Sequence, residues 1–133
     1  MHMTSRSEYA LLAMAYLARH EFEGFVPVKV IADAQNIPPK FLEQILLALK
    51  RAHCVRSLKG KRGGYRLALK ANSITLAEII RLFDGALAPT ESVSRYFYAP
   101  TPIEREDGLI RVFTKVRNFV AQTLERTTIA DVI

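Results

Sequence analysis

The sequence predicts a mainly α-helical fold that contains one small β-hairpin. Three observations indicate this class. Two segments with helical apolar periodicity are joined by a short turn, an alternating hairpin pattern follows them at once, and a heptad-like apolar stripe runs close to the end of the chain. Helix, turn, helix and hairpin in this order make a winged helix-turn-helix, and the last stripe predicts a long C-terminal dimerisation helix.

The first two predicted helices cover about residues 7–21 and 29–35. In the first, apolar residues recur every three or four positions, the spacing that places side chains on one face of a helix. Its predicted buried stripe contains Tyr9, Leu12, Ala13, Tyr16 and Leu17. In the second helix, Ile31 and Ala34 are predicted to face inward.

The turn 36–39 reads Asn-Ile-Pro-Pro and separates the second helix from a third, predicted over 39–52. Asn tolerates the left-handed backbone that a tight turn needs, and proline suits the first turn of a helix, where its missing N–H is not required. The apolar stripe of the third helix contains Phe41, Leu42, Ile45, Leu46 and Leu49. The opposite face contains Lys40, Glu43, Gln44, Leu47 and Lys50.

Residues 54–59 and 65–69 are predicted as the two strands of the hairpin, with Val55 and Leu58 facing inward. The Gly-Lys-Arg-Gly-Gly segment between them matches no glycine-rich phosphate-binding motif. It also lies between two strands rather than between a strand and a helix, which argues against a nucleotide site. At a hairpin tip, glycines can adopt positive φ while basic side chains project from the loop. The projecting residues are Lys59, Lys61 and Arg62.

The basic residues concentrate in one segment. Residues 38–70 carry a net charge of +8, whereas the remaining 100 residues sum to −2. Such a block in a folded region indicates a surface for a polyanion, although a solvated basic surface is the alternative interpretation. Lys40, Glu43 and Gln44 carry donors and acceptors that suit base edges in the major groove. The alternative for them is an ordinary exposed helix face.

The second half of the chain contains two more predicted helices. Thr75 and Glu78 have capping-box spacing and open a helix over 76–84, which Gly85 ends. After a loop over 86–103, the last helix begins near Glu104. Its apolar stripe exceeds what one small domain can cover, so a second copy is the expected partner, with burial against its own domain as the alternative. The predicted interface contains Leu109, Val112, Val116, Phe119, Val120 and Thr123.

Other function classes find little support. His20 and His53 lie apart, and no nucleophile–base or paired-carboxylate pattern occurs, so we expect no enzyme activity. Cys54 is the single cysteine and is predicted to be a buried structural thiol rather than a redox sensor. No apolar run reaches the length of a membrane span, and no signal peptide opens the chain. A cytoplasmic protein is therefore expected.

Several segments together resemble the Rrf2 family of bacterial regulators, the IscR, NsrR and CymR type. They are SRSEYALLAMAYLA at the start, FLEQIL with KG and GGY in the middle, ITLAEIIRLFDG after them, and TTIADVI at the end. The resemblance implies a homodimer that binds a palindromic DNA operator, usually as a repressor. It implies base contacts from Lys40, Glu43 and Gln44, a wing contact from Lys59, and backbone contacts from Arg6 and Tyr9.

One departure from the family pattern concerns iron. Iron–sulfur members place three cysteines between the fourth and fifth helices, whereas the loop here contains none. Because a cluster needs thiolate ligands, we expect no cofactor and no metal. A metabolite or protein effector could take the place of the cluster. Tyr96, Phe97 and Tyr98 could line its pocket, or they could pack against the dimerisation helix.

The prediction as a whole is a winged helix-turn-helix DNA-binding domain over 1–85, a loop over 86–103, and a dimerisation helix with a C-terminal turn over 104–133. Its function is predicted to be that of a homodimeric, sequence-specific DNA-binding transcriptional regulator. The alternative is a winged-helix protein-interaction module that docks an acidic partner.

Overall fold

The computed structural model describes all 133 residues, with five α-helices and one two-stranded antiparallel sheet. The elements are α1 (Ser5–Arg19), α2 (Val28–Gln35), α3 (Pro39–Arg51), β1 (Val55–Leu58), β2 (Gly64–Leu67), α4 (Leu76–Asp84) and α5 (Asp107–Arg126). The predicted fold class is confirmed. No helix combines the length and the apolar character that a membrane crossing needs.

The main core joins α1, α2, α3, the hairpin and the start of α4. The short 3₁₀ turn at Ile129–Val132 completes it, because the Ile129 side chain is fully buried and its N–H donates to the carbonyl of Ile74 at 2.9 Å. A second, small cluster connects α4 to α5 through Ile80 and Ala121. The end of the chain therefore packs against α1 and the segment just before α4, while α5 contacts the rest of the chain along one face only.

In each of the first two helices one residue predicted to be buried is exposed, whereas Ala13, Leu17 and Ile31 are buried as predicted. On α1, Leu12 is 39% exposed, and Ala10 and Met14 lie in the core instead. The reason is that α1 packs against α2, α3 and α4 at once, and the side that carries Ala10 and Met14 faces these neighbours. On α2, Ala34 is exposed, and Ala32 is buried in its place.

Two further residues predicted to be buried are exposed. The Phe41 side chain is 41% exposed, because it lies in the first turn of α3 and packs in an edge-to-face pair with Tyr9 at the margin of the core. The Leu58 side chain is 49% exposed, because β1 extends past the core at this point. The prediction for Val55 is confirmed, since its side chain is 2% exposed.

The last helix begins later than predicted. Residues Pro102–Arg105 form a separate 3₁₀ turn, and α5 starts at Asp107 rather than at Glu104. At α4 the predicted bounds are confirmed, and the Thr75 hydroxyl accepts a hydrogen bond from the N–H of Glu78 at 3.1 Å. Only this half of the predicted capping box forms there, because the Glu78 carboxylate accepts from the Thr75 hydroxyl rather than from its N–H.

A carboxylate at the end of α4 binds the first turn of α1. Asp84 accepts hydrogen bonds from the hydroxyls of Thr4 and Ser7 and from the N–H of Thr4. Desolvation by burial acts to raise the pKa of Asp84, but these hydrogen bonds outweigh it and hold the pKa below its ordinary value. The ionised carboxylate therefore stabilises the fold at neutral pH, and this contribution is lost as the pH falls through the lowered pKa.

We expect Asp84→Asn to lower the free energy of unfolding by about 1–2 kcal/mol at pH 7, because the amide accepts more weakly and presents an unmatched N–H₂ group. Urea unfolding at pH 7 and pH 3 measures this. The difference from the native protein should shrink at pH 3, because pH 3 lies below the ordinary carboxyl pKa and the unfolded state then binds a proton that the native carboxylate resists. Asp33→Asn is the control, because Asp33 is exposed and makes no hydrogen bond. An equal loss at both pH values would contradict the role of the charge.

Candidate nucleic-acid interface

The turn between α2 and α3 has the predicted left-handed geometry. Asn36 has φ 55° and ψ 49°, and the N–H of Ile37 donates to the carbonyl of Ala32 at 2.9 Å. The Ile37 side chain is 3% exposed and fills the corner between the two helices. A buried residue at this corner fixes how α3 is presented, so the turn determines which face of α3 remains at the surface.

The first two turns of α3 present a free polar face. Leu42, Ile45, Leu46 and Leu49 are fully buried. Lys40, Glu43 and Gln44 are exposed, and their side chains make no hydrogen bond or ion pair with the rest of the chain. Their spacing of three and four residues places them on one face of the helix. Donors and acceptors with no internal partner, at the beginning of the second helix of a helix-turn-helix, suit direct contact with base edges.

The hairpin forms a wing beside α3. Its register pairs Val55 with Leu67 and Leu58 with Gly64, and the N–H of Gly63 donates to the carbonyl of Gly60 at 3.0 Å across the tip. Three basic side chains project from the tip, and all are exposed. They are Lys59, Lys61 and Arg62. The tip therefore concentrates positive charge without any carboxylate partner.

A backbone bridge that the sequence did not predict holds the wing in place. Val26 and Tyr65 each donate an N–H to the carbonyl of the other, both at 2.8 Å. Val26 lies just before α2, so the wing is tied to the start of the helix-turn-helix. The apolar residues around Val26 were the only sign of this pairing in the sequence, and they gave no indication of the partner strand.

Tyr65 also lies near the polar face of α3. Burial raises the pKa of its phenol, and the Glu43 carboxylate raises it further. The charge of Glu43 on the exposed face of α3 thus acts on a residue of the wing. Sequence reasoning did not identify Tyr65 as part of this surface, although its position as the first apolar residue of β2 made it a candidate for the inner side of the hairpin.

The two predicted contacts at the start of α1 occupy different surroundings. The Tyr9 ring packs edge to face on Phe41 of α3, with centroids 5.7 Å apart. The Arg6 guanidinium lies over the ring of Phe83 on α4, 5.4 Å from its centroid. Tyr9 therefore supports the beginning of α3, whereas Arg6 is held at the surface between α1 and α4.

The predicted dimer stripe on α5 is largely uncovered. The exposed fractions are 43% for Leu109, 54% for Val112, 42% for Val116 and 74% for Phe119. Thr123 is exposed and Val120 is half-buried. Opposite this stripe, α5 is fixed to α4 by an ion pair between Arg81 and Glu125 at 2.6 Å. The helix thus turns an apolar face outward along several turns.

The aromatic loop residues are exposed and line none of the three cavities in the chain. The Arg81 guanidinium lies over the Tyr96 ring, 4.9 Å from its centroid. The Tyr98 hydroxyl donates to the Glu104 carboxylate. The prediction that Tyr96, Phe97 and Tyr98 form an effector pocket stays a prediction. In the single chain Tyr96 contacts Arg81 of α4 and Tyr98 contacts Glu104 of the 3₁₀ turn before α5.

The single cysteine is buried. Cys54 is 7% exposed, and burial raises the pKa of its thiol, with a further increase from the Glu78 carboxylate. A buried thiol with a raised pKa is a poor nucleophile and a poor metal ligand at neutral pH. No group of three or more His, Cys, Asp or Glu side chains lies close enough together to hold a metal ion.

Comparison with known sequences shows that nearly the whole chain matches one protein family. Residues 3–133 match the profile described as "Rrf2: Iron-dependent Transcriptional regulator". The HTH-type transcriptional regulator CymR of Bacillus subtilis is 31% identical over 131 residues, which are 98% of this chain and 88% of CymR. Rv1287 of Mycobacterium tuberculosis is 36% identical over 135 residues, which are 99% of this chain and 81% of that protein.

Solved structures agree with the sequence match. The structure of CymR, the global cysteine regulator of B. subtilis, superposes with a TM-score of 0.80 at 30% identity, and covers 99% of this chain and 95% of that one. The structure of IscR from T. potens superposes with a TM-score of 0.76 at 30% identity, over 99% of this chain and 85% of that one.

Proposed function

The chain belongs to the Rrf2 family of transcriptional regulators, and we propose that it is a cytoplasmic repressor that binds a palindromic operator as a homodimer. The observation that carries the proposal is the free polar face of α3 beside a basic wing tip. In this proposal residues 1–85 bind DNA, residues 86–103 connect, and residues 104–133 dimerise.

The two parts of the surface have different tasks. Lys40, Glu43 and Gln44 read base edges in the major groove, where their donors and acceptors can distinguish base pairs. The wing tip contacts phosphates or the minor groove and supplies affinity that does not depend on sequence. Arg6 and Tyr9 contribute backbone contacts from the start of α1, Tyr9 also by supporting α3 through Phe41.

The homodimer follows from the uncovered stripe on α5. Large exposed apolar side chains along one helix face are uncommon on a monomeric protein and indicate an interface. A two-fold dimer presents two copies of α3, so the operator should contain two half-sites about one helical turn apart or a multiple of it, roughly 34 Å.

The residues of this chain do not fit an iron–sulfur cluster, although the family description names iron. A cluster needs several thiolate ligands, and the chain has one cysteine, which is buried at the start of the hairpin. The loop 86–103 contains no cysteine. We therefore propose regulation that does not pass through a cluster.

The proposal as a whole is tested by selecting fragments from a random duplex library at moderate salt and measuring their affinity by fluorescence anisotropy. We expect a two-fold symmetric consensus with half-sites one turn or two turns apart. Absence of binding to any duplex, even at low salt, would contradict the proposal and favour docking of an acidic protein partner.

We expect Glu43→Ala to relax base preference at one position of each half-site, because a carboxylate that accepts from a cytosine amino group is removed. The expected loss of discrimination is about 1–3 kcal/mol per base pair. Competition between operators that differ at single positions measures it. Lys50→Ala, on the same helix but beyond its first turns, is the control and should leave the ranking of operators unchanged.

For Lys61→Ala with Arg62→Ala we expect weaker binding to all sequences and a salt dependence that is shallower by up to about two phosphate contacts. The ranking of operators should not change, because the tip makes contacts to the backbone. Affinities at four salt concentrations measure the slope. If the slope and the affinity both stay at the native values, the wing does not touch DNA.

A further inference from the structure

A second cluster of positive charge lies on the hairpin, away from its tip. Arg56 of β1 pairs directly with Arg66 of β2 in the sheet register, so both side chains leave the same face of the hairpin. Like charges directly opposite each other destabilise an antiparallel pair. The Arg66 guanidinium is held over the Phe25 ring, 5.6 Å from its centroid. The fold therefore positions two cations side by side at some cost.

These two arginines line a cavity of about 270 Å³ together with Lys70. Glu21 is the only acidic residue in its wall, and none of the three cations has a carboxylate within 4 Å. The cavity thus has three positive charges against one negative charge. Convergent cations without carboxylate partners, two of them planar guanidinium groups, have the chemistry that binds a phosphate or sulfate group.

An apolar groove of about 440 Å³ continues from this cavity, and Glu21 and Lys70 line both. Its apolar wall includes Ala18, Phe22 and Ala130. The Phe22 side chain is 96% exposed and has no packing partner in the chain. A charged compartment and an apolar compartment that share two residues are matched to a ligand with one anionic end and one apolar end.

We propose that this double cavity binds a small molecule in which a phosphate or sulfate group is joined to an apolar, ring-sized body. The anionic group contacts Arg56, Arg66 and Lys70, and the body lies along Phe22. The charge of the cavity selects the anionic end, and the uncovered ring gains a partner when the body binds.

The site shares the hairpin with the proposed wing, but it lies away from the wing tip and extends to the end of α1. Tyr9, near the start of α1, contacts the first turn of α3, whereas Glu21 follows the opposite end of α1. The ten helical steps from Tyr9 to Arg19 span roughly 15 Å at the helical rise. The Glu21 end of the cavity is therefore separated from the start of α3 by most of the length of α1. A DNA phosphate is nevertheless an alternative source of the same anionic chemistry, and the experiment separates the two.

The test is a titration of the full chain with phenyl phosphate, inorganic phosphate and phenol in the absence of DNA. Amide chemical shifts and calorimetry monitor the binding. We expect phenyl phosphate to saturate with a Kd of about 1 mM or below, with shifts around Glu21, Arg56 and Lys70 and none around Glu43. Inorganic phosphate should bind more weakly, and phenol should not bind.

Variants give the result its specificity. Arg56→Gln and Lys70→Gln should each weaken phenyl phosphate by about fivefold or more, and Glu21→Gln should tighten it by about fivefold. Phe22→Ala should weaken phenyl phosphate and leave inorganic phosphate unchanged. Lys115→Gln on α5 is the control, because Lys115 is exposed and far along the chain from the cavity.

Three results would overturn the site. The first is the absence of saturation by any of the anionic probes. The second is equal weakening in the Lys115→Gln control, which indicates general charge attraction. The third is a loss of duplex affinity in Arg56→Gln as large as that in Lys61→Ala, without phenyl phosphate binding to the native protein, which identifies the cluster as a DNA phosphate contact. Since the primary readout uses no DNA, it stands apart from the operator experiments.

Discussion

Val116→Glu should produce a monomer and lower operator affinity by about 100-fold or more. Val116 lies in the middle of the α5 stripe and is 42% exposed in the single chain, so the change leaves the protomer intact. In a two-fold dimer the substitution places two carboxylates in an apolar interface, where unpaired charge is strongly unfavourable. Without the dimer, each half-site must be bound separately and the gain from linked binding is lost. Sedimentation and anisotropy measure the two effects.

Gln122→Glu is the charge-matched control for this prediction. Gln122 is exposed on α5 and lies about 100° around the helix axis from the centre of the stripe. It should remain dimeric and bind the operator with nearly native affinity. A Val116→Glu protein that still sediments as a dimer would place the interface elsewhere, whatever its affinity. Circular dichroism confirms in both variants that the helices are retained.

The order and type of the elements could be predicted because local chemistry specifies them. At α4 the Thr75 cap and the Gly85 end are both sequence features, and both predicted bounds are confirmed. At α5 the apolar pattern predicted a start near Glu104, but a proline at 102 begins a separate 3₁₀ turn, which ends before the helix starts. Periodicity identifies a helix, and its first residue depends on how the preceding loop packs.

Burial was predicted less well than helicity, because the sequence does not say how many neighbours an element has. Leu12 fits the helical spacing of the predicted buried stripe of α1. Its side chain is nevertheless exposed, because α2, α3 and α4 pack against the neighbouring face of the helix. Phe41 belongs by spacing to the buried stripe of α3, and its place in the first turn leaves it at the edge of the core. In both cases tertiary packing, which periodicity does not record, decided the outcome.

In the candidate site, too, features set by local sequence could be predicted and features set by tertiary contacts could not. The turn at Asn36 and the exposed face around Glu43 depend on local sequence. The structure has the predicted left-handed backbone at Asn36, and Glu43 is exposed as predicted. The contacts that hold the surface together join residues far apart in the chain. The bridge between Val26 and Tyr65 and the binding of Ser7 to Asp84 leave no local pattern, so no reading of one segment could identify them.

Gly64→Ala should lower the free energy of unfolding by about 3 kcal/mol and displace the wing. A Cβ atom at this position would lie 2.0 Å from the carbonyl oxygen of Val26, and Gly64 has φ +146°. To relieve this clash, the backbone at Gly64 must move away from the segment around Val26. That movement breaks the pair of 2.8 Å hydrogen bonds between Val26 and Tyr65. Because those bonds tie the wing to α2, operator affinity should fall along with stability. Urea unfolding and anisotropy measure the two losses.

Gly60→Ala separates crowding from backbone strain. Gly60 also has positive φ, at +105°, but a Cβ there meets no atom within 4 Å. The expected loss is therefore that of the strained conformation alone, about 1 kcal/mol, with the Val26–Tyr65 bridge intact. Amide exchange at Tyr65 should remain slow in Gly60→Ala and become fast in Gly64→Ala. Equal losses in the two variants, with slow exchange in both, would show that the glycines serve the turn only and that the wing does not depend on its close approach to Val26.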